Sequence, residues 1–381
     1  MQDLSIIFFW LSIFLLFYSY LAYPLILLIL FKDKKPVFQN TGYKPSVTVV
    51  FAAYNEEKVI EKKIKNIFDQ NYPKELLDIV IGSDNSTDKT VEIAKSFLSE
   101  NRTVLDFKER RGKLGTLNEA VKNAKGEIIV FTDANAMFDE NAIALLVSSF
   151  SDKNVGCVSG QKVITTSGST DAGEGIYWKI ESFIKERENY LGSCAGADGA
   201  LYAVRKELYP FPPSDKLYMD DFFISLKIIG KGFRCIYNPM AKAFEESSKD
   251  FYSEIKRKGR ILGGAINVLF KMPELLVPFK SAIALQLWSH KILRWCGGFF
   301  LLIALLANFN LDNITPYTTF LTLQIGFYCL ALLGLMFSMN GIKVRIFYFP
   351  YYFLFMNYSQ IYGLYVWFKD GRKGFWEKVG R

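Results

Sequence analysis

The sequence predicts an α/β protein in which a mostly parallel sheet carries helices on both faces and transmembrane helices flank the sheet domain. Three observations support this fold class. Long uncharged segments lie near both ends of the 381-residue chain. Between them, short apolar runs alternate with amphipathic stretches at helical spacing. Near-continuous apolar runs are typical of strands that are buried on both faces of a parallel sheet.

The first uncharged segment, residues 4–31, is long enough to cross a bilayer, which requires about 20 apolar residues in a helix. The chain begins MQD, without a basic region, and the apolar run is longer than the roughly 7–15 residues of a signal peptide. We therefore predict an uncleaved membrane anchor over residues 1–35. The basic cluster KDKK follows the apolar run and places the next domain in the cytoplasm. The expected location is the cytoplasmic (inner) membrane.

The middle of the chain, residues 36–250, is predicted to be one cytoplasmic domain. Strand-like segments occur at SVTVVFAAYN, LDIVIGSD, TVLDF and GEIIVF. The stretch EEKVIEKKIKNIFDQ between the first two carries apolar residues at helical spacing, and NST supplies candidate N-cap residues for a helix after the second. This alternation of strand and helix predicts the parallel sheet with helices on both faces.

The C-terminal part is predicted to return to the membrane. Residues 251–294 read as amphipathic interfacial helices, residues 295–368 as a transmembrane region and residues 369–381 as a basic tail. Three uncharged runs, 295–311, 313–342 and 346–368, predict three spans. Three crossings would place the tail outside, whereas its five Lys and Arg residues favour the cytoplasm. Either one segment lies in the interface or the charge rule does not hold here.

Composition limits the other possibilities. The net charge is +8, and the lysines and arginines near the apolar segments account for it without nucleic acid, for which the chain carries no recognition motif. The five cysteines are scattered and never in CxxC spacing, so neither disulfides nor a zinc site is predicted. A transporter would show internal repeats or polar residues within its spans, and these runs have no charges and no evident repeat.

Polar side chains follow successive predicted strands at the point where each strand ends. In open α/β sheets, ligands bind at the carboxyl ends of the strands. One such residue would be ordinary turn chemistry, but several in corresponding places predict a binding site. These residues are Asn55, Glu56, Asp84, Lys113, Asp133 and Asn135.

Seven short motifs carry a resemblance to a known family. FAAYNEE, GSDNSTDKT, RRGKLGTLNEA, FTDANAMFD, GADGALYAVR, MDDFFISLKIIGKGFR and RKGRILGG occur in this order over roughly residues 45–270. In them the chain resembles the membrane-bound family 2 glycosyltransferases, which share the nucleotide-diphospho-sugar transferase (GT-A) fold. Its flanking membrane segments look like those of the polysaccharide-synthase branch.

The resemblance implies where a nucleotide sugar binds. Asp84 resembles the carboxylate that accepts a hydrogen bond from the uracil ring, and Asp133 matches the first residue of the D-x-D motif. Asn135 matches the last, so Mg²⁺ or Mn²⁺ is the expected cofactor, bound more weakly than by two carboxylates because an amide oxygen is neutral. The implied nucleotide-sugar contacts are Ala53, Tyr54, Glu56, Asp84, Lys113, Asp133 and Arg260.

The resemblance also implies the catalytic residues. DDFFISL matches the EDxxL motif, so Asp221 is the expected general base and Asp220 the accompanying acid. The segment GADGA, with Gly196 and Asp198, is either a loop or the acceptor side of the site. Of the Q-x-x-R-W motif of processive synthases only Arg260 is retained, with Ile261 in place of Trp, so processive and single addition both remain open.

The implied function is an inverting transfer of a sugar from a UDP-sugar to a growing glycan at the cytoplasmic membrane face. The product would be a β-linked, exported or cell-surface polysaccharide. The expected partners are the UDP-sugar, a glycan or lipid-linked acceptor, membrane lipids and polysaccharide-export components. The alternative is transfer of a single sugar to a polyprenyl phosphate or another lipid carrier. A non-catalytic membrane scaffold is disfavoured, because it needs no combination of Asp84, Asp133 and Asp221.

Overall fold

The structure is a computed structural model. It describes residues 2–37, 42–97, 101–165, 171–214, 218–246, 251–311, 315–340, 342 and 344–370. Residues 371–381 of the predicted basic tail therefore lie outside the described residues.

Eight strands form a single sheet in the middle of the chain. Their bounds are β1 Val47–Ala53, β2 Leu77–Asp84, β3 Arg102–Phe107, β4 Ile128–Phe131, β5 Met137–Phe138, β6 Val155–Thr165, β7 Tyr202–Arg205 and β8 Arg234–Glu246. The order across the sheet is β3-β2-β1-β4-β7-β6-β8-β5. Four of the seven pairings are parallel (β1/β2, β2/β3, β1/β4 and β6/β8). The four segments predicted as strands are β1 to β4, and they form the parallel half of a mixed sheet.

Helices cover both faces of this sheet. The helices of this region are α3 Ile60–Phe68, α4 Thr90–Ser96, α5 Gly112–Asn123, α6 Ala142–Ser148, α7 Asp171–Glu188, α8 Asp220–Gly230 and α9 Phe251–Phe270. Alternate residues of β1 point into two separate apolar cores, Val49 into one and Val50 into the other. The first core includes α3 and α6, and the second includes α5 and α8. Both faces of β1 are thus buried, as the uninterrupted apolar run predicts.

The N-terminal segment forms helix α1 Gln2–Phe17, a π-helical turn Tyr18–Ala22 and helix α2 Tyr23–Leu30. Together they span Gln2–Leu30, a helical segment of 29 residues that is long and apolar enough to cross a membrane. The predicted N-terminal anchor agrees with this helix.

The C-terminal segment forms α10 Ala282–Gln286, a π-helical turn Leu287–Ile292, α11 Leu293–Trp295, α12 Gly297–Phe309, α13 Tyr317–Met339 and α14 Arg345–Asp370. Of these, α13 is by itself long and apolar enough to cross a membrane, whereas Ala282–Trp295 and Gly297–Phe309 qualify only as a pair bent by 59°. By length and composition, the chain is a membrane protein with two candidate spans, or three if the bent pair is one span.

This count is smaller than the predicted one N-terminal and three C-terminal spans. The run at 346–368 lies in α14, which contains six tyrosines together with Asn357 and Gln360. This helix is not among the candidate membrane spans. Instead, α14 packs closely against α9, because Gly259 and Gly363 lie at the crossing point. A Cβ atom added to Gly363 would lie 2.8 Å from the Cα atom of Gly259. Neither position therefore accepts a side chain without separating the helices.

Candidate functional site

The carboxyl ends of β1, β2 and β4 lie side by side, because β1 pairs in parallel with both neighbours. The loops after β1 and β2 are tied together by hydrogen bonds. The backbone N–H of Asn55 donates to Ser86 Oγ (3.1 Å), and Asn55 Oδ1 accepts from the backbone N–H of Thr87 (2.8 Å). Asn55 adopts a left-handed backbone (φ 55°), a conformation that Asn tolerates better than most residues. The predicted polar residues are thus held at one edge of the sheet.

Lys113 lies between carboxylates from two other elements. Its Nζ atom is 3.0 Å from Asp133 Oδ1 and 3.1 Å from Asp220 Oδ2. Burial alone would lower the pKa of Lys113, but the charges of Asp133, Asp220 and Asp221 raise it well above its usual value, so the ammonium stays charged. The first turn of α5 therefore joins the loop after β4 to the start of α8.

Asp221 is buried in the first turn of α8, with 6% of the residue exposed. Its pKa is raised to about 7 by burial and by the charges of Asp220 and Asp198, while Lys113 acts in the opposite direction. Gly199 allows the neighbouring loop to approach this carboxylate, since a Cβ atom added there would lie 3.1 Å from Asp221 Oδ2. Asp221 thus has the properties of a general base suited to neutral pH.

A buried lysine stabilises the loop that contains Asp133 and Asn135. Lys63, in α3, is 0% exposed, and its Nζ atom donates to Thr132 Oγ1 (3.0 Å) and to the carbonyl oxygen of Ala136. The ammonium also lies 3.7 Å from the centre of the Phe138 ring. Burial lowers the pKa of Lys63 to about 7, against the raising effect of Asp133. The sequence pattern does not indicate this role of Lys63, because a lysine in a charged helix gives no sign that it points into the core.

The donor set at this loop fits a hard divalent cation whose remaining ligands come from a bound diphosphate. Asp133 and Asn135 both line the large cavity described below, and they offer one carboxylate and one amide oxygen. Within the described residues, no group of three or more His, Cys, Asp or Glu side chains could hold a metal ion. Mg²⁺ is commonly bound by one or two carboxylates together with substrate phosphates.

Asp84 occupies a different environment from the one implied by the sequence. Its carboxylate is 0% exposed, and Oδ2 accepts from Arg110 Nε (2.8 Å). Oδ1 accepts from the backbone N–H groups of Arg111 (2.6 Å) and Gly112 (3.2 Å) at the start of α5. The guanidinium of Arg110 stacks on the ring of Tyr54 at 3.6 Å. A nucleobase can contact Asp84 only if Arg110 moves, and in this arrangement Asp84 holds the turn that carries Lys113.

The other implied contacts divide into cavity and core residues. Glu56 lines the cavity, and its backbone N–H donates to Thr90 Oγ1 (2.7 Å). Arg260 in α9 also lines the cavity. Ala53 is 0% exposed and belongs to the apolar core, so any contact it makes with a nucleotide requires a local shift.

The GADGA segment lies beside Asp221. Gly196 has φ 96°, and a Cβ atom there would lie 2.6 Å from the Phe222 ring, so this position requires glycine for both conformation and space. Asp198 lines the cavity and accepts from the backbone N–H of Ala200 at 3.2 Å. Gly196 therefore shapes the loop, while Asp198 lines the cavity.

One large cavity connects these residues with the membrane helices. Its volume is about 1910 Å³, larger than the roughly 300–1,000 Å³ of ordinary small-molecule sites. The wall near the sheet contains Lys113, Asp133 and Asp221, and the opposite wall contains side chains of α1 and α14, including Phe17 and Tyr352. The cavity therefore has room for two substrates and is continuous from the carboxylates to the apolar helices.

A buried network of charged side chains lies beside the cavity, next to the N-terminal membrane helix, and the sequence pattern does not indicate it. His290, in the π-helical turn Leu287–Ile292, is 1% exposed. Its Nδ1 atom lies 2.9 Å from Glu188 Oε1, and its Nε2 atom lies 2.9 Å from Glu181 Oε2. Glu188 also accepts from Tyr23 Oη (2.9 Å) and from the backbone N–H of Ala195 (3.0 Å). The network connects the N-terminal membrane helix with the loop that contains Asp198.

We expect Glu188→Gln to destabilise the protein by about 1–3 kcal/mol, because the amide nitrogen cannot accept from the donors that face the carboxylate and one buried donor is left without an acceptor. The check is thermal unfolding of the purified protein in detergent. Glu119→Gln is the matched control, since the Glu119 side chain is more exposed and forms only a surface pair with Lys122; its effect should be close to zero. Equal melting temperatures for Glu188→Gln and the parent protein would contradict the assigned network.

Part of the chain matches known proteins in sequence. Residues 48–209 match the model of glycosyl transferase family 2. The chain is 25% identical over 288 residues to the poly-beta-1,6-N-acetyl-D-glucosamine synthase of Staphylococcus aureus, a match that covers 70% of this chain and 67% of that protein. It is 30% identical over 172 residues to the beta-monoglucosyldiacylglycerol synthase of a Nostoc species, covering 44% of this chain and 37% of that one.

Among solved structures, the fold is similar to that of the mannosyltransferase PcManGT from Pyrobaculum calidifontis in complex with GDP-Man and Mn²⁺. The TM-score is 0.68 at 23% identity, and the similarity covers 93% of this chain and 99% of that one. At this identity the similarity concerns the fold alone. It confirms the fold class predicted from the sequence.

Proposed function

The chain contains a glycosyltransferase family 2 domain, and we propose that this domain moves a sugar from a UDP-sugar to a growing glycan, with inversion at the anomeric carbon. The proposed reaction takes place at the cytoplasmic membrane face and forms a β-linkage of a cell-surface or exported polysaccharide. The proposed division of the chain places the anchor at 1–35, the transferase domain at 36–250, interfacial helices at 251–294, the membrane region at 295–368 and the basic tail at 369–381.

The observation that carries this proposal is the position of Asp221. A buried carboxylate with a pKa raised to about 7 faces a cavity of about 1910 Å³ that has room for both a donor and an acceptor. A nucleotide-binding module without transferase activity has no need of such a group. The residues around it differ in character: Lys113 lies against Asp133 and Asp220, whereas Asp198 lines the same cavity in the loop whose Gly199 approaches Asp221.

In the proposed mechanism, Asp221 accepts the proton of the acceptor hydroxyl as that oxygen attacks the anomeric carbon. Lys113 holds Asp133 and Asp220 in place and contributes positive charge beside the diphosphate. Asp133 and Asn135 would hold Mg²⁺ or Mn²⁺, which when bound neutralises charge on the leaving diphosphate. One base acting in a direct displacement inverts the configuration, so an α-linked donor gives a β-linked product.

For the donor we propose a UDP-sugar, with the uracil ring beside Tyr54 and Asp84. Binding then requires Arg110 to leave its place between these two side chains. Ala53, Glu56 and Arg260 complete the proposed donor contacts, and Gly196 and Asp198 the acceptor side.

A second candidate function is transfer of a single sugar to a lipid carrier. It is favoured by one observation: the cavity continues from Asp221 to apolar side chains of α1 and α14. The replacement of the motif tryptophan by Ile261 also leaves processivity without support. Product length distinguishes the two functions, since single addition gives one product and polymerisation gives a ladder.

The proposed function is tested with the purified full chain in detergent, Mg²⁺ or Mn²⁺ and a panel of UDP-sugars. The readout is release of UDP, and GDP-mannose serves as the comparison donor. We expect release with one or a few UDP-sugars and none with GDP-mannose. Absence of release with every donor would refute the transferase proposal. Release only from GDP-mannose would refute the proposal that the donor nucleotide is UDP.

We expect Asn135→Asp to tighten the binding of Mn²⁺ in the presence of UDP by about tenfold, equivalent to about 1.4 kcal/mol. The added carboxylate supplies the negative charge that the amide lacks. Isothermal titration with Mn²⁺ measures the change. Asn141→Asp, in the helix cap that follows, is the control and should leave the affinity unchanged. Equal affinities for Asn135→Asp and the parent protein would show that residue 135 is not a metal ligand.

A further inference from the structure

Helix α7 presents one face to the large cavity. Trp178, Glu181 and Lys185 line the cavity, and their spacing of three and four residues places them on the same side of the helix. The helix ends at Glu188, which the charge network holds against the loop that contains Asp198. This face is therefore held in a fixed position relative to Asp198 and Asp221.

Lys185 is unusual among the buried lysines of the cavity wall. It is 4% exposed, and within the described part of the chain its Nζ atom has no hydrogen-bond acceptor and no carboxylate within ion-pair distance. The ammonium lies 5.7 Å from the centre of the Tyr237 ring. Because Lys185 lines the cavity, its ammonium is accessible to a partner that enters the cavity.

Three other lysines that line the cavity have carboxylate partners. Lys113 pairs with Asp133 and Asp220, and Lys162 pairs with Glu245 at 2.5 Å. Lys291 pairs with Glu181, also at 2.5 Å. The carboxylates next to these three lysines neutralise their charges. Lys185 differs because, within the described residues, no carboxylate lies within ion-pair distance of its Nζ atom.

The surroundings of Lys185 favour a neutral polar ligand over an anion. Burial lowers the pKa of Lys185, but Asp198 and Glu181 raise it overall, so the ammonium stays charged. Glu181 is already paired with His290 and Lys291, which leaves Asp198 as the acidic group that a phosphate or carboxylate entering here would meet. A sugar hydroxyl accepts from an ammonium and donates to a carboxylate. The indole ring of Trp178 lines the same cavity about two helical turns before Lys185, and Lys162 Nζ lies 5.3 Å from its centre.

We propose that Lys185, Asp198 and Trp178 form a subsite that binds a sugar unit of the acceptor through its hydroxyl groups. This inference rests on the proposed function. Lys185 Nζ donates to a hydroxyl oxygen, the carboxylate of Asp198 accepts from a hydroxyl group, and Trp178 packs against the C–H face of the sugar ring. The subsite places the acceptor beside the loop that contains Asp198 and whose Gly199 approaches Asp221.

The test measures two rates on the full chain in detergent, with the donor that releases UDP most rapidly. One is donor hydrolysis, recorded as UDP release without acceptor. The other is transfer to a β-linked oligosaccharide of the donor's own sugar. For Lys185→Met we expect the acceptor KM to rise about 10–100-fold, as for a lost hydrogen bond to a charged group. Donor KM and the hydrolysis rate should not change.

Two further variants keep the test decisive. Trp178→Leu should raise the acceptor KM without changing donor hydrolysis, and it remains informative if Lys185→Met does not fold. Lys122→Met, on the exposed side of α5, should leave both rates unchanged. The proposal is overturned if the acceptor KM of the folded variants equals that of the parent protein, or if hydrolysis falls in parallel with transfer. A parent protein that releases no UDP from any donor would instead refute the proposed function.

Discussion

Replacing Asp221 with asparagine is expected to lower kcat for sugar transfer by about 10²–10⁴-fold, the contribution of a positioned general base. The amide occupies the same space and keeps an oxygen for the backbone N–H of Phe222, which donates to Asp221 Oδ1 at 2.7 Å. It cannot accept the proton of the acceptor hydroxyl. The measurement is the transfer rate at saturating donor and acceptor, with the melting temperature recorded alongside.

Asp69→Asn is the control for this variant, because Asp69 is exposed at the end of α3. It should transfer sugar at the parent rate. The pH dependence gives a second check. Since the base must be deprotonated and the pKa of Asp221 is raised to about 7, kcat/KM should fall as the pH drops below about 7. Transfer at the parent rate by Asp221→Asn would remove Asp221 from the mechanism.

Replacing Lys113 with methionine is expected to lower kcat/KM for the donor by about 10²–10³-fold, comparable to the loss of one charge-stabilising donor. Three carboxylates would then face the diphosphate without the ammonium that lies 3.0 Å from Asp133 and 3.1 Å from Asp220. Because Lys113 lowers the pKa of Asp221, its removal should also shift the acidic limb of the pH profile to higher pH.

Lys122→Met in the same helix is the matched control, since Lys122 is exposed and pairs only with Glu119. A donor kcat/KM equal to the parent value in Lys113→Met, or an acidic limb that moves to lower pH, would contradict the role assigned to Lys113. The pH profile is informative because a purely structural defect would lower the rate at every pH without moving the limb.

The sequence predicts the parallel half of the sheet well. The runs that become β1, β2 and β4 are apolar on both faces, and the helices between them carry apolar residues at helical spacing. Parallel pairing alone then brings the residues after these strands to one edge. Because β3 pairs in parallel with β2, Lys113, which follows β3, is expected at the same edge as Asp133, and the two side chains are 3.0 Å apart.

Sequence patterns could not predict which charged side chains point inward. Lys63 and Lys185 lie in helices with many other charged residues, and only the packed structure shows that they are buried. Asp84 resembles a base-binding carboxylate by its motif, yet its oxygens hold Arg110 and the start of α5. His290 lies in the segment 251–294 that was predicted as interfacial helices, and it is buried between two carboxylates.

The central claim is an inverting transfer with Asp221 as the single base, and the configuration of the first product tests it most directly. The active UDP-sugar, whose sugar is α-linked, is incubated with the full chain and an acceptor, and the new linkage is assigned by nuclear magnetic resonance from its anomeric coupling constant. A β-linkage is the result that this account predicts. An α-linkage would contradict it, because retention requires a different mechanism from direct displacement assisted by one base.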